Sequence, residues 1–358
     1  MTHHSIDSAT HTGPFMRTLR GEPADRTPIW LMRQAGRYMP EYRALRERHT
    51  MLESIHSAEL SAEITMQPIE AFDLDAAIIF SDILPPLAGM GLDLDFIKGV
   101  GPRLENPVRS PGDIDALRTP PMEEVMAGTL GAIRMVRREL DSRGIPLIGF
   151  SGAPFTLASY AIEGGGSKSY VHAKGLMYSD PPSWDVLMSK LVTVVSDYLT
   201  AQAAVGAQVL QLFDSWAGAL GRLDYERFVQ PYTRQVLTAA LSTGVPVIHF
   251  STGTGAYLES IAAAAPTAVG VDFQTPLDEA WARIGTDRVI MGNLDPVLLH
   301  APWEVLKRGA DDVLARAAGR VGHVFNVGHG ILPETPVDNV RRLVDHVHAA
   351  SARPGTSV

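Results

Sequence analysis

The sequence predicts an α/β protein built from eight consecutive strand–helix units. Three observations support this. Eight short apolar or β-branched runs recur along the chain, helical stretches separate them, and the runs open directly onto polar or glycine-rich residues. Eight such units in 358 residues point to a single-domain (β/α)8 TIM barrel, with its active site at the C-terminal rim of the strands. An open doubly wound sheet is the alternative that periodicity by itself leaves standing.

The strand candidates are residues 28–32, 76–80, 146–150, 209–213, 245–250, 268–273, 288–291 and 323–327. Most are continuously apolar rather than alternating, which is the pattern of strands buried on both faces of a parallel sheet. Between them, residues 183–203 place Trp184, Leu187, Leu191, Val194, Val195 and Tyr198 on one helical face. Residues 225–241, 277–284, 303–318 and 337–349 show the same period. A further helix is expected over 123–142, stopped by Gly144. No Pro-, Ser- or Gly-rich linker divides the chain. It reads as a leader over residues 1–14, one catalytic domain over 15–350 and a tail over 351–358.

Composition narrows the function. Hydrophobic residues make up 45% and charged residues 20%, ordinary values for a globular protein. The net charge of −9 argues against a general nucleic-acid surface. No apolar run approaches the ~18–20 residues of a membrane span, so no membrane insertion is expected. There is no cysteine, which removes thiol nucleophiles, disulfides and Cys-containing metal sites, and fits a reducing compartment such as the cytoplasm. The leader has His3, His4 and His11 but no hydrophobic segment, and reads as a solvated arm rather than a secretory signal.

The chemistry gathers at the strand ends. Arg33-Gln34-Ala35-Gly36-Arg37 follows the first run and Ser81-Asp82 the second. Ser151-Gly152-Ala153-Pro154, with Tyr160 beyond, follows the third, and Asp214-Ser215-Trp216 the fourth. Ser251-Thr252-Gly253, Gly292-Asn293-Leu294-Asp295 and Gly328-His329-Gly330 follow the fifth, seventh and eighth. In a barrel all of these share one rim. Guanidinium groups bind carboxylates or phosphates in a two-pronged way, so Arg33 and Arg37 at a strand mouth of an acidic protein point to a polyanionic small molecule. Arg43 and Arg48 read instead as a solvated helix face paired with Glu41 and Glu47. Asp82, at the end of an apolar run, is either paired with a rim arginine or working. His329 is either satisfied by the backbone of its turn or in contact with ligand. Tyr160 and Ser215 carry no specific signal alone.

Three other patterns fail on chemistry. Gly164-Gly165-Gly166-Ser167-Lys168 lacks the leading glycine and preceding strand of a phosphate loop, and reads as a flexible loop. Gly253-Thr254-Gly255 lacks the third glycine of a dinucleotide fingerprint. His346 and His348 are two apart on a helix and face different ways, a poor metal pair.

The segment Pro28-Ile29-Trp30-Leu31-Met32-Arg33-Gln34-Ala35-Gly36-Arg37-Tyr38 resembles the first motif of the uroporphyrinogen decarboxylases. Gly149-Phe150-Ser151-Gly152-Ala153-Pro154-Phe155-Thr156, with Tyr160, is similar to the second. Phe80-Ser81-Asp82-Ile83-Leu84, Phe213-Asp214-Ser215-Trp216-Ala217-Gly218 and Asn326-Val327-Gly328-His329-Gly330 match further strand ends. The loops after the fifth and sixth runs match only loosely. The resemblance covers residues 15–349.

It implies a cytoplasmic, homodimeric barrel that needs no cofactor or metal. Such an enzyme converts the four acetate side chains of uroporphyrinogen III to methyl groups, giving coproporphyrinogen III on the way to haem. Arg33 and Arg37 would hold substrate carboxylates, with Gln34, Ala35 and Gly36 shaping the site. Asp82 would accept hydrogen bonds from the pyrrole N–H groups, and Tyr160, Ser215 and His329 would line the cleft. The catalytic residues are then Asp82, Arg37 and Tyr160, with the proton donor open between Arg37, Tyr160 and a bound water. Two rival readings stand beside it. Zinc-dependent methyltransferases share the fold and some rim pattern but need a His and Cys cluster, and this chain has no cysteine. A non-catalytic tetrapyrrole carrier would bind porphyrinogen without releasing carbon dioxide.

Overall fold

A computed structural model describes residues 12–97 and 99–353. The leader histidines His3, His4 and His11 and the last five residues lie outside it. Nine strands occur among the described residues: β1 (Ala77–Ile78), β2 (Leu94–Ile97), β3 (Gly101–Leu104), β4 (Leu147–Gly152), β5 (Val209–Asp214), β6 (Val247–Ser251), β7 (Ala268–Gly270), β8 (Val289–Leu294) and β9 (His323–Val327). Seven of them form one parallel sheet in the order β1-β4-β5-β6-β7-β8-β9, and β2 pairs antiparallel with β3 as a separate hairpin.

The sheet is curled and covered by helices, as continuous apolar strands demand. β4, β6 and β8 are buried at every position. The helix Pro181–Ala204 buries Trp184, Leu187, Leu191, Val194, Val195 and Tyr198, the stripe the sequence predicts. Leu277–Ile284 forms with the expected ends, and Trp303–Ala317 and Val337–Ser351 differ by at most two residues. Two expected helices are interrupted. The first breaks at Met126 into Met122–Val125 and Ala127–Leu140, and Gly144 does stop the segment, with φ +67°. The second breaks at Val229 into Arg222–Phe228 and Gln230–Leu241, because Pro231 has no N–H for a continuous helix and disfavours helical geometry just before it.

The first strand candidate is the main correction to an eight-stranded expectation. Residues 28–32 make one isolated bridge, Ile29 to Phe325, and no ladder. Phe325 N–H donates to Pro28 C=O at 2.8 Å on one side, and Asp75 N–H to Ile29 C=O at 2.9 Å on the other. The physical reason is where the segment's own N–H groups go. Ile29 N–H donates to Asp75 Oδ2 (2.7 Å), Leu31 N–H to Gln34 Oε1 (3.0 Å) and Met32 N–H to Asn326 Oδ1 (3.0 Å). Pro28 has none to give. Side chains have taken the donors that a strand ladder would use.

Candidate active site

The rim is built by the turn after residues 28–32. Gln34 N–H donates to Leu31 C=O at 2.9 Å, closing a four-residue turn with Arg33 at its third position. Arg33 has φ +63°, a left-handed conformation that glycine normally occupies there. Such strain costs about 1–3 kcal/mol and persists only where surrounding contacts enforce it. Those contacts are present. Gln34 is fully buried, and its amide accepts from Leu31 N–H and donates to Ala76 C=O at 3.1 Å. Tyr38 hydroxyl donates to Gln34 C=O at 2.8 Å. Gln34 therefore shapes the site from beneath and does not reach into it. Ala35 and Gly36 are half-buried; a methyl on Gly36 would lie 3.0 Å from Arg33 C=O.

Arg33 itself is exposed and makes no hydrogen bond or ion pair among the described residues. Its charge is felt by three other rim groups. It favours the ionised form of Asp82, holds the Tyr160 phenol down and disfavours the charged form of His329. Arg37 is also exposed; its C=O accepts from Arg43, and it and Asp82 both act on the Tyr42 phenol.

Asp82 is part-buried just beyond β1, where it accepts from Leu84 N–H at 3.0 Å. Burial raises its pKa above the ordinary carboxylate value, against the pull of the Leu84 and Ile83 N–H groups and of Arg33. Burial also pushes the Tyr160 phenol up to about 12, reinforced by Asp82 and opposed by Arg33. Tyr160 thus keeps its proton at neutral pH. His329 opens to solvent through the cleft, and its pKa is lowered, first by the surrounding protein and then by Arg33.

Ser215 and His329 line a cavity of about 420 Å³ together with Lys168, Trp216, Asp272 and Phe273. Of the last four, the sequence shows Trp216 at a strand end and Lys168 in the glycine segment, with no site role for either, and does not mark Asp272 or Phe273. Trp216 packs on Tyr160 at 4.4 Å between ring centroids and meets Tyr170 edge-on at 4.9 Å. Asp272 ties the two loosely matching loops together: it accepts from Gly253 N–H at 2.5 Å and Gln274 N–H at 3.1 Å, joining the turns after β6 and β7. Phe273 is 41% exposed, an aromatic face held open to the cleft. The glycine segment 164–168 is tied down where Leu104 N–H donates to Gly164 C=O at 2.9 Å, so the β2–β3 hairpin braces it. Lys168 on this segment makes no ion pair among the described residues. No cluster of three His, Asp or Glu side chains among the described residues is placed to hold a metal ion. No helix among them is long and apolar enough to cross a membrane.

Arg33, Asp82, Tyr160 and His329 thus interact electrostatically with one another, and Tyr160 adjoins the partly aromatic cavity through Trp216. The family described as uroporphyrinogen decarboxylase matches residues 10–350. The uroporphyrinogen decarboxylase of Roseiflexus sp. is 53% identical over 94% of this chain and 98% of its own. That of Sorangium cellulosum is 53% identical over 94% and 95%. Among solved structures, a methyltransferase from Methanosarcina mazei superposes with a TM-score of 0.79 at 20% identity, covering 94% of this chain and 98% of its own, a likeness of fold alone.

Proposed function

Because the chain belongs to the uroporphyrinogen decarboxylase family and is a carboxy-lyase of tetrapyrrole synthesis, we propose that the cleft around Arg33, Arg37, Asp82, Tyr160, Ser215 and His329 is where decarboxylation occurs. The observation that supports this best is Arg33, held left-handed at the rim with its charge acting on Asp82, Tyr160 and His329 at once.

The reaction sequence follows from these groups. Carboxylates of the substrate dock on Arg33 and Arg37, whose forks have no competing acid partner among the described residues. Protonating the pyrrole carbon that bears the acetate creates a cationic ring, and that ring accepts the electrons left when carbon dioxide departs. The substrate is its own electron sink, so the reading needs no metal or organic cofactor, and activity should survive exhaustive chelation and dialysis. Asp82 accepts from the pyrrole N–H groups and stabilises the cation. Partial burial places Asp82 in surroundings less polar than water, which strengthens its field at the moment the positive charge appears. Tyr160 donates a hydrogen bond to a substrate carboxylate, and its high pKa makes it a poor acid. A water held by Arg37 relays a solvent proton to the ring carbon at the start; once carbon dioxide has left, the exocyclic methylene takes a proton to become the methyl group, and the ring carbon returns its proton to solvent. Ser215 and His329 complete the wall.

The same reading makes residues 28–32 the eighth stave of a closed barrel, supported by the hydrogen bonds that join them to β9 and to Asp75. It takes residues 15–350 as one catalytic domain, acting as a cytoplasmic homodimer. An anaerobic assay with uroporphyrinogen III tests the activity: stepwise loss of four carboxylates is expected, and binding without carbon dioxide release would overturn it. Light scattering tests the dimer.

A further inference from the structure

One buried pair behind the cleft has no part in the steps above. Thr156 lies in the first turn of the helix Pro154–Glu163 and is fully buried. Its hydroxyl donates to Asp214 Oδ1 at 2.9 Å and accepts from Trp216 N–H at 3.3 Å. Asp214 ends β5 and is also fully buried. Its second oxygen has no hydrogen-bond partner among the described residues, and His249 Nε2 lies 3.9 Å from it. A buried carboxylate with half its capacity unused is costly, which argues that something other than stability keeps it there.

The pair holds the loop from which the cleft wall projects. Trp216 has φ −120° and ψ 2°, a sparsely populated region, and its indole lies against both Tyr160 and Tyr170. We propose that Thr156 and Asp214 are positioning residues for decarboxylation: through Trp216 they fix the aromatic wall against which Tyr160 meets the substrate. This rests on the reading that the cleft is the active site. Valine at 156 would keep the shape but remove the donor to Asp214 and the acceptor for Trp216 N–H together, freeing the wall to shift. Small displacements in a preorganised site are expensive in rate.

The test compares Thr156→Val, Thr156→Ser and Trp216→Phe, and the double variant Thr156→Val with Trp216→Phe, in the full chain. Steady-state kcat and KM for uroporphyrinogen are measured beside the thermal melt. The expected result is a loss of kcat on the order of tenfold in folded Thr156→Val, near-normal kcat in Thr156→Ser, and a double variant no worse than its poorer parent. A folded Thr156→Val with normal kcat and KM would overturn the proposal. So would a serine variant as poor as valine, or losses that multiply in the double variant. If Thr156→Val does not fold, Thr156→Cys, a poorer donor and acceptor of similar size, decides by the same readings. Asp82→Asn is run in parallel. Normal turnover there removes the underlying active-site reading, whereas a dead Asp82→Asn beside a normal Thr156→Val removes only the positioning role.

Discussion

Arg33 and Gly330 occupy one space: a methyl group built on Gly330 would lie 2.8 Å from Arg33 Cγ and 2.9 Å from its Nε, with Cδ closer still. The rim arginine from one end of the chain therefore rests on a bare backbone from the other. Glycine at 330 is required by the arginine's path, since Gly330 is not among the glycines with positive φ.

Gly330→Ala should accordingly copy an arginine defect. The Arg33 side chain must move while the backbone at 330 tolerates alanine. KM is expected to rise roughly tenfold or more, with a small change in melting temperature. Kinetics like the parent enzyme in Gly330→Ala would show that Arg33 does not need this path.

Asp82 separates chemistry from stability. Its folded pKa lies above the unfolded value of 3.8 because burial penalises the charge. The penalty is absent below the unfolded pKa and grows as pH rises through the folded one. At neutral pH Asp82→Asn, which keeps an acceptor for Leu84 N–H, should melt no lower than the parent while losing roughly two to three orders of magnitude in the chemical step. Asp82→Glu should retain more activity than Asn. A destabilised Asn variant with normal single-turnover rates would reduce Asp82 to a structural residue.

For the rim arginines the signature is electrostatic. Arg33→Ala and Arg37→Ala should fold normally and lose kcat/KM on the order of a hundredfold. Added salt should raise KM in the parent enzyme and raise it less in either variant. Equal salt slopes in all three would remove polyanion capture from their role.

A separate pH effect is expected from His323 in β9. It is fully buried, its Nε2 donates to Gly292 C=O at 2.9 Å, and burial lowers its pKa from 6.5 to about 4. The folded state thus resists a proton that the unfolded chain accepts. The stabilisation is complete above pH 6.5 and is lost as pH falls toward 4, by about 3 kcal/mol in all. Melting curves across that range should fall less steeply for His323→Gln, which keeps a donor but does not titrate. An unchanged slope would mean that another group governs acid unfolding.

The sequence by itself determined the strand–helix alternation, seven of the eight apolar runs as strands of one parallel sheet, and the polar strand-end segments that carry Asp82, Ser215 and His329. Those features are local: a buried strand must be apolar on both faces, and a strand end must open to polar residues. Continuous runs and short motifs record both. The tertiary structure alone decided the rest. Residues 28–32 read as a strand, yet Asp75, Gln34 and Asn326 take the N–H groups of Ile29, Leu31 and Met32, and two of those three partners are remote in the chain. The left-handed turn at Arg33 depends on the buried Gln34, and the path of its side chain on Gly330. Trp216 becomes part of the site only because Thr156 and Asp214, 58 residues apart, meet behind it. A hydrogen bond or a close approach between distant segments leaves no periodicity in either one, so it becomes visible only when the fold brings the partners together.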